Sequence, residues 1–168
     1  MSDLYIITGP AGVGKSTISK KIANNKEKSA LIEGDEIYHQ VVGGYVSAWK
    51  PENHLEIFWK ICFDMINTYL KNGYDVIFNY IVNPENLKMI KNKFTDCKIK
   101  FIILIANEKE ILKRDALRPE NCQMKKRCIE LLESFKRKNF TAKFYLDTSN
   151  LTIEETVQAI ENNDEYLV

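Results

Sequence analysis

The chain has 168 residues, 45% hydrophobic and 28% charged, with a formal net charge of +1. That length suits one domain with a real core, and so balanced a charge gives no global field to select nucleic acid or an anionic membrane. No apolar run approaches the roughly 20 residues that cross a bilayer.

Residues 1–10 lack the basic start of a signal peptide and contain Asp3. The cysteines, Cys62, Cys97, Cys122 and Cys128, show no C-x-x-C spacing, and only two histidines accompany them, which argues against zinc. Reduced thiols and a cytoplasmic location are expected.

In chain order, apolar runs alternate with helical patterns. A strand over 3–8 leads into a glycine-rich turn and a helix beginning near Lys15, with Ile18, Ile22 and Ala23 on one side. A second strand, 29–33, enters "LIEGDEIYH". Residues 42–53, "VGGYVSAWKPEN", form a long aromatic loop of the kind that carries function. Residues 54–72 place Phe58, Ile61, Cys62, Met65, Ile66 and Tyr69 at the spacing of a core-facing helix, capped by Asn53 and ended by Gly73.

A third strand, 75–80, is followed by a helix opened by Asn83-Pro84. A fourth, 98–105, precedes a helix that starts with an Asn107/Glu110 capping box and breaks at Pro119, and another helix begins near Cys122. A last strand, 143–147, leads to a helix with a Thr152/Glu155 box. Such alternation predicts an α/β fold, a parallel sheet with helices on both faces, in one domain covering 1–168.

The turn after the first strand reads Gly9-Pro10-Ala11-Gly12-Val13-Gly14-Lys15-Ser16-Thr17 and fits G-x-x-x-x-G-K-[ST]. The glycines let successive N–H groups point at one anion, and the following helix aims its positive end there. Lys15 reaches the outer phosphates and the Ser16 hydroxyl can ligate Mg²⁺. The spacing implies a bound nucleoside triphosphate, but not what is done with it.

The other groups should lie beyond the carboxyl ends of the strands. Asp35, after the second strand, can act as base or metal partner, or simply cap the helix that follows. Glu33 looks less well aimed. The third strand ends in Asn79 and Tyr80, where many phosphate-handling sheets carry an aspartate, so Asp35 leads for metal support while Asn79 and Tyr80 are candidates for substrate or for a half-buried strand end. His39 lies one turn after Asp35 and is a candidate for the acceptor wall, with Tyr38, Tyr45 and Trp49.

Arg114 and Arg118 share a helix face before the Pro119 break, which suggests a lid, about 108–138, over a transferring phosphoryl. The alternative is a solvated helix with internal pairs to Glu110 or Asp115. Arg127 is a further candidate. Thr148, Ser149 and Asn150 follow the last strand, in a loop placed to touch the nucleotide base through backbone groups; the alternative is a simple turn.

With these residues, above all Gly9–Thr17, the chain resembles the small P-loop kinases: the shikimate, gluconate, adenylylsulfate, nucleoside and nucleotide kinases and chloramphenicol phosphotransferase. The stretch from "YIITGPAGVGKST" to "IEGDEIYHQVVGGY" is similar to bacterial proteins described as gluconate kinases or AAA-type P-loop ATPases. The resemblance implies a three-layer P-loop NTPase fold, a five-stranded parallel sheet in order 2-3-1-4-5, a helical lid, and MgATP as phosphoryl donor to a small-molecule hydroxyl. It carries Lys15, Asp35, Arg114 and Arg118 into catalytic roles. Lys50 is the only cation between Lys28 and Lys60, which weakens the case for a carboxylate acceptor, and a neutral one, such as a nucleoside or an antibiotic-like alcohol, fits the aromatic loop as well. An ATP-binding regulatory module and a nucleic-acid 5′-end kinase are the alternative readings.

Overall fold

The computed structural model describes residues 2–168. Five strands, β1 (Asp3–Thr8), β2 (Ser29–Glu33), β3 (Asp75–Asn79), β4 (Lys98–Ile105) and β5 (Tyr145–Asp147), form one sheet in the order β2-β3-β1-β4-β5. Every neighbouring pair is parallel. Around it lie α1 (Lys15–Asn25), α2 (Gly34–Tyr38), α3 (Leu55–Lys71), α4 (Pro84–Lys93), α5 (Glu108–Ala116), α6 (Lys126–Arg137) and α7 (Ile153–Glu161). Among the described residues no helix is long and apolar enough to cross a membrane.

The strands are apolar on both faces because both faces are covered. Leu4, Ile6, Phe78 and Phe101 pack with Phe58, Cys62 and Ile66 of α3 and Ile90 of α4. Tyr5, Ile7, Ile102 and Leu104 pack on the opposite face with Ile18 and Ile22 of α1 and Val157 and Ile160 of α7. Burying each such aliphatic or aromatic side chain contributes about 1.5–3 kcal/mol. A small third cluster, Ala106, Ile111, Cys128 and Leu132, joins α5 to α6 and meets Ala11 of the glycine-rich turn.

Local signals set most boundaries. Asn83 and Asn86 cap α4 reciprocally, and Thr152 and Glu155 do the same for α7. Gly73 takes a φ of 77° just past α3. The Asn107 box is only half made: Asn107 Oδ1 accepts from the Glu110 N–H at 2.9 Å, while the Glu110 carboxylate turns to Arg114 and Lys113.

Four expectations need correction. In α3, Ile61 is 40% exposed and Trp59, off the expected stripe, is buried beside Phe58 and Tyr80. Asn53 is not the cap residue of α3, a position held by His54, although its side chain accepts from the Leu55 N–H. The last strand starts at Tyr145, since residues 142–144 form a 3₁₀ turn closed by the Phe144 N–H on Thr141. The helix expected near Cys122 starts at Lys126, because a 3₁₀ turn and the left-handed backbone of Lys125 (φ 49°) intervene.

Parallel pairing brings the ends of β1, β3 and β2 to one edge, with Glu33 directly opposite Asn79. The Thr8 hydroxyl accepts from the Val82 N–H at 2.9 Å and ties the ends of β1 and β3 together. Thr152→Ala should remove the α7 capping box at a cost of about 1 kcal/mol, seen as a fall of roughly 2–4 °C in the thermal midpoint.

Candidate active site

The turn between β1 and α1 is shaped by backbone geometry. Gly9, Gly12 and Gly14 have φ of 142°, 79° and 96°. Gly9 admits no side chain at all, since a Cβ there would stand 2.3 Å from the Leu104 carbonyl oxygen. The first turn of α1 has no side-chain cap and no acidic residue, so its N–H groups and positive end are left for an anion.

Lys15 folds back to donate to the Pro10 carbonyl at 2.9 Å. The residue retains partial exposure, but its ammonium lies among dense protein atoms. Burial pulls it down to about 8, with Asp35 and Glu33 opposing the fall and Arg118 adding to it.

The Ser16 hydroxyl is met by two side chains. Asn79 Nδ2 donates to it at 3.0 Å, and it donates in turn to Glu33 Oε2 at 3.4 Å. Asn79 Nδ2 also donates to Glu33 Oε2 in a close contact. Asn79 is 5% exposed, and its Oδ1 is buried without a hydrogen-bond partner among the described residues. Burial raises the Glu33 carboxyl above the ordinary carboxylate range, the Asn79 and Ser16 hydrogen bonds opposing and the Glu36 and Asp35 charges adding. A hydroxyl, a carboxylate and an orphaned amide oxygen make a hard, all-oxygen donor set of the kind Mg²⁺ takes.

Glu33, which looked poorly aimed from sequence, is thus the carboxylate in contact with Ser16. The signal that could have found it is the parallel register opposite Asn79. Asp35 sits in the first turn of α2, exposed, and does not cap it: the cap position is Glu33.

His39 is exposed, with Nδ1 on the Asp35 carbonyl (2.6 Å) and Nε2 on the Tyr45 hydroxyl (3.2 Å). Its ring stacks on Tyr45, centroids 5.5 Å apart and planes at 19°. Tyr38 is buried and supports the 42–53 loop by donating to the Val46 carbonyl. Trp49 does not join this group and stands 82% exposed. Tyr80 is mostly core: its ring packs on Phe58 at 4.4 Å and lies under Gly34.

The two arginines are four residues apart and go to different places. Arg114 is a clamp: Nη1 donates to the Val13 carbonyl (3.1 Å) and the Thr148 hydroxyl (2.9 Å), Nη2 to the Thr148 carbonyl (2.9 Å), and Nε pairs with Glu110. Thr148 is therefore buried and spent on the scaffold, while Ser149 is held by Asp147 and accepts from the Asn107 N–H. No side-chain hydrogen bond fixes Asn150. Arg118 is partly exposed, pairs with Asp115 at 3.2 Å, and is near enough to Lys15 to depress its pKa. Arg127 does not join them; it is exposed and pairs with Glu130.

Asp115, which sequence reasoning treated only as a pairing partner, organises this segment. It is 2% exposed and accepts from the Met124 and Lys125 N–H groups at 2.9 and 2.7 Å as well as from Arg118. Burial pushes its carboxyl upward, but these bonds outweigh it and hold the pKa below the usual range.

Two surface grooves, about 440 and 370 Å³, lie elsewhere: one between α3 and α4 beside Trp59 and Met89, the other beside Pro84 and Phe140. All four cysteines are free thiols.

A glycine-built anion cradle between β1 and α1, on a parallel sheet ordered 2-3-1-4-5, defines a P-loop kinase-like fold. The chain belongs to the AAA domain family AAA_33, whose profile matches residues 4–138. No curated protein matches it significantly. Among solved structures, it is similar to the tunicamycin resistance protein of Deinococcus radiodurans (16% identity, TM-score 0.72, 96% of this chain and 95% of that one). A sugar kinase from Janibacter sp. HTCC2649 gives 12% identity and a TM-score of 0.72, over 98% and 97% of the two chains. A gluconokinase from Sinorhizobium meliloti 1021 gives 16% and 0.63, over 95% and 90%. At these identities the likeness is one of fold.

Two outcomes follow from the side-chain environments. A bound triphosphate favours the Lys15 ammonium, whereas the free protein loses that proton as pH rises through about 8. Nucleotide affinity should therefore fall above pH 8, by up to about tenfold per pH unit with one linked proton. Calorimetry in buffers of different ionisation enthalpy should show proton uptake there, and Lys15→Arg should flatten the profile. Without ligand the sign reverses: the lowered pKa makes the fold more stable as pH rises from about 8 to 10.5.

Asp115→Ala should cost roughly 2 kcal/mol by removing the buried carboxylate that the Met124 and Lys125 N–H groups and Arg118 share. Its effect on amide exchange should be greatest at Met124 and Lys125.

Proposed function

We propose that this chain transfers the γ-phosphoryl group of ATP, with Mg²⁺, to a hydroxyl of a small molecule. The observation that carries the reading is the convergence on Ser16 of the Glu33 carboxylate and the Asn79 amide, beside a cradle with a free helix end and a lysine. In this reading residues 1–168 act as one domain and 108–138 as its lid.

The backbone of Gly9, Pro10, Ala11, Gly12, Val13 and Gly14 wraps the phosphates, and Lys15 and Thr17 lie against them. Ser16, Glu33 and the free Asn79 oxygen would hold Mg²⁺ directly or through water, and Asp35 faces the same cluster from α2. Mg²⁺, when bound, neutralises charge on the β- and γ-phosphates. The loop of Thr148, Ser149 and Asn150 borders the base, kept in place by Arg114.

The acceptor oxygen forms a bond to the γ-phosphorus as the bond from that phosphorus to the β–γ bridging oxygen breaks. ADP leaves with the electron pair, and the hydroxyl proton passes to Asp35, whose carboxylate makes no competing hydrogen bond. His39, with Tyr45, walls the acceptor side, and Asn79 and Tyr80 lie behind it. Arg118 moves from Asp115 to offset the charge on the transferring group. Arg114 is a positioning residue, because its donors are already engaged by Val13 and Thr148.

The test is ADP release from ATP against sugars, nucleosides and alcohol antibiotics. Stimulation by an acceptor, with phosphate found on it, supports the reading; ATP binding with no acceptor response supports a regulatory ATP-binding module instead. Asp35→Asn should slow transfer by about 10²–10⁴-fold with little change in ADP affinity. Arg118→Ala should slow it by about 10³-fold. An unchanged rate removes either residue from its role.

A further inference from the structure

The acceptor side of the proposed kinase has a charge of its own. Between Lys28 and Lys50 the chain contains no lysine or arginine and three acids, Glu33, Asp35 and Glu36. Asp35 and Glu36 are exposed at the start of α2, and neither makes an ion pair among the described residues. Their charges reach Glu33, where both push its carboxyl upward. Among the described residues, Asp35 and Glu36 belong to no group of three acid, histidine or cysteine side chains that could hold a metal ion by itself.

An aromatic surface adjoins them. His39 is held at both ring nitrogens, by the Asp35 carbonyl and the Tyr45 hydroxyl, and stacks on Tyr45. Tyr80 is 7% exposed, with its ring beneath Gly34, where an added Cβ would stand 2.6 Å away. Its hydroxyl has no hydrogen-bond partner among the described residues, and it feels the charge of Asp35 next after burial itself.

Carboxylates without an ion-pair partner beside a fixed His39–Tyr45 stack complement an organic ammonium, which gains from both charge and ring face. A sugar acid would meet like charge on every side. The cations nearest the cradle, Lys15 and Arg118, are on the phosphate side and are matched by the donor nucleotide.

We propose that the acceptor is a cationic amino alcohol, such as an amino sugar or an alkylamino alcohol, whose ammonium lies between Asp35, Glu36 and the His39–Tyr45 stack while a hydroxyl faces the γ-phosphoryl. The inference rests on the phosphotransferase reading. The bonds made and broken are those already given, and the amine stays protonated and unreacted.

The test measures binding without turnover. The full chain, with Mg²⁺ and β,γ-methylene ATP, is titrated calorimetrically with glucosamine, glucose and gluconate, and with 3-amino-1-propanol against 1,3-propanediol. At least one amine should bind about tenfold more tightly than its neutral partner. The preference should shrink at high salt and in Glu36→Gln, and persist in Glu56→Gln, an exposed carboxylate on α3. Gluconate should be the weakest of its set. No amine preference in either set, or tighter binding of glucose or gluconate, overturns the proposal. Failure of the phosphotransferase reading shows separately, as ATP turnover that no acceptor stimulates.

Discussion

The site depends on one register. Glu33 ends β2 opposite Asn79, which ends β3, and β3 lies beside β1, from which the glycine-rich turn leaves. A slip of one residue would turn Glu33 and Asn79 to the other face and leave Ser16 without either. The register is secured by apolar pairs behind it, Ile32 opposite Phe78 and Leu31 opposite Ile77, each contributing to a different side of the core. Sheet packing therefore sets the chemistry at the edge: the carboxylate stands on β2, and the amide takes the place on β3 where an aspartate is common.

The segment 108–138 is joined to the cradle in two different ways. Arg114 bridges the Val13 carbonyl and Thr148, so the glycine-rich turn and the loop after β5 share one guanidinium. Arg118, one helical turn on, is held only by Asp115 and keeps 40% of its side chain exposed. The first is a fixed strut and the second is free to exchange partners. Asp115 also holds the Met124 and Lys125 N–H groups, so the start of α6 does not depend on the Arg118 pair alone. The left-handed Lys125 backbone is a strained conformation for a side-chain-bearing residue, tolerated because a buried carboxylate takes its N–H.

Much of this was legible in the sequence. All five strands lie within a residue or two of where apolar runs placed them, because buried parallel strands leave an unbroken apolar signature. The cradle was legible because its spacing admits few other folds. What escaped shares one cause. Glu33, the Arg114 clamp and the Asp115 hub are set by partners 46, 34 and 10 residues away in sequence. Helical spacing put Arg114 and Arg118 on one face, but spacing alone does not say which has free donors. Trp49 did not enter the core for the same reason: an aromatic residue in a loop is buried only if some other element covers it.

The net charge illustrates the point at the scale of the whole chain. Residues 108–138 carry ten lysines and arginines against six acids, a balance of +4, and the remainder carries fourteen against seventeen, a balance of −3. Near-neutrality is thus the sum of a basic 108–138 segment and an acidic body that includes Glu33, Asp35 and Glu36. The total says little about ligands, because a bound molecule feels charges within about a Debye length, ~8 Å at physiological salt. On the proposed reading, a donor carrying several negative charges and an acceptor carrying a positive one are selected by opposite sides of one site, and a nearly neutral total is no obstacle to that.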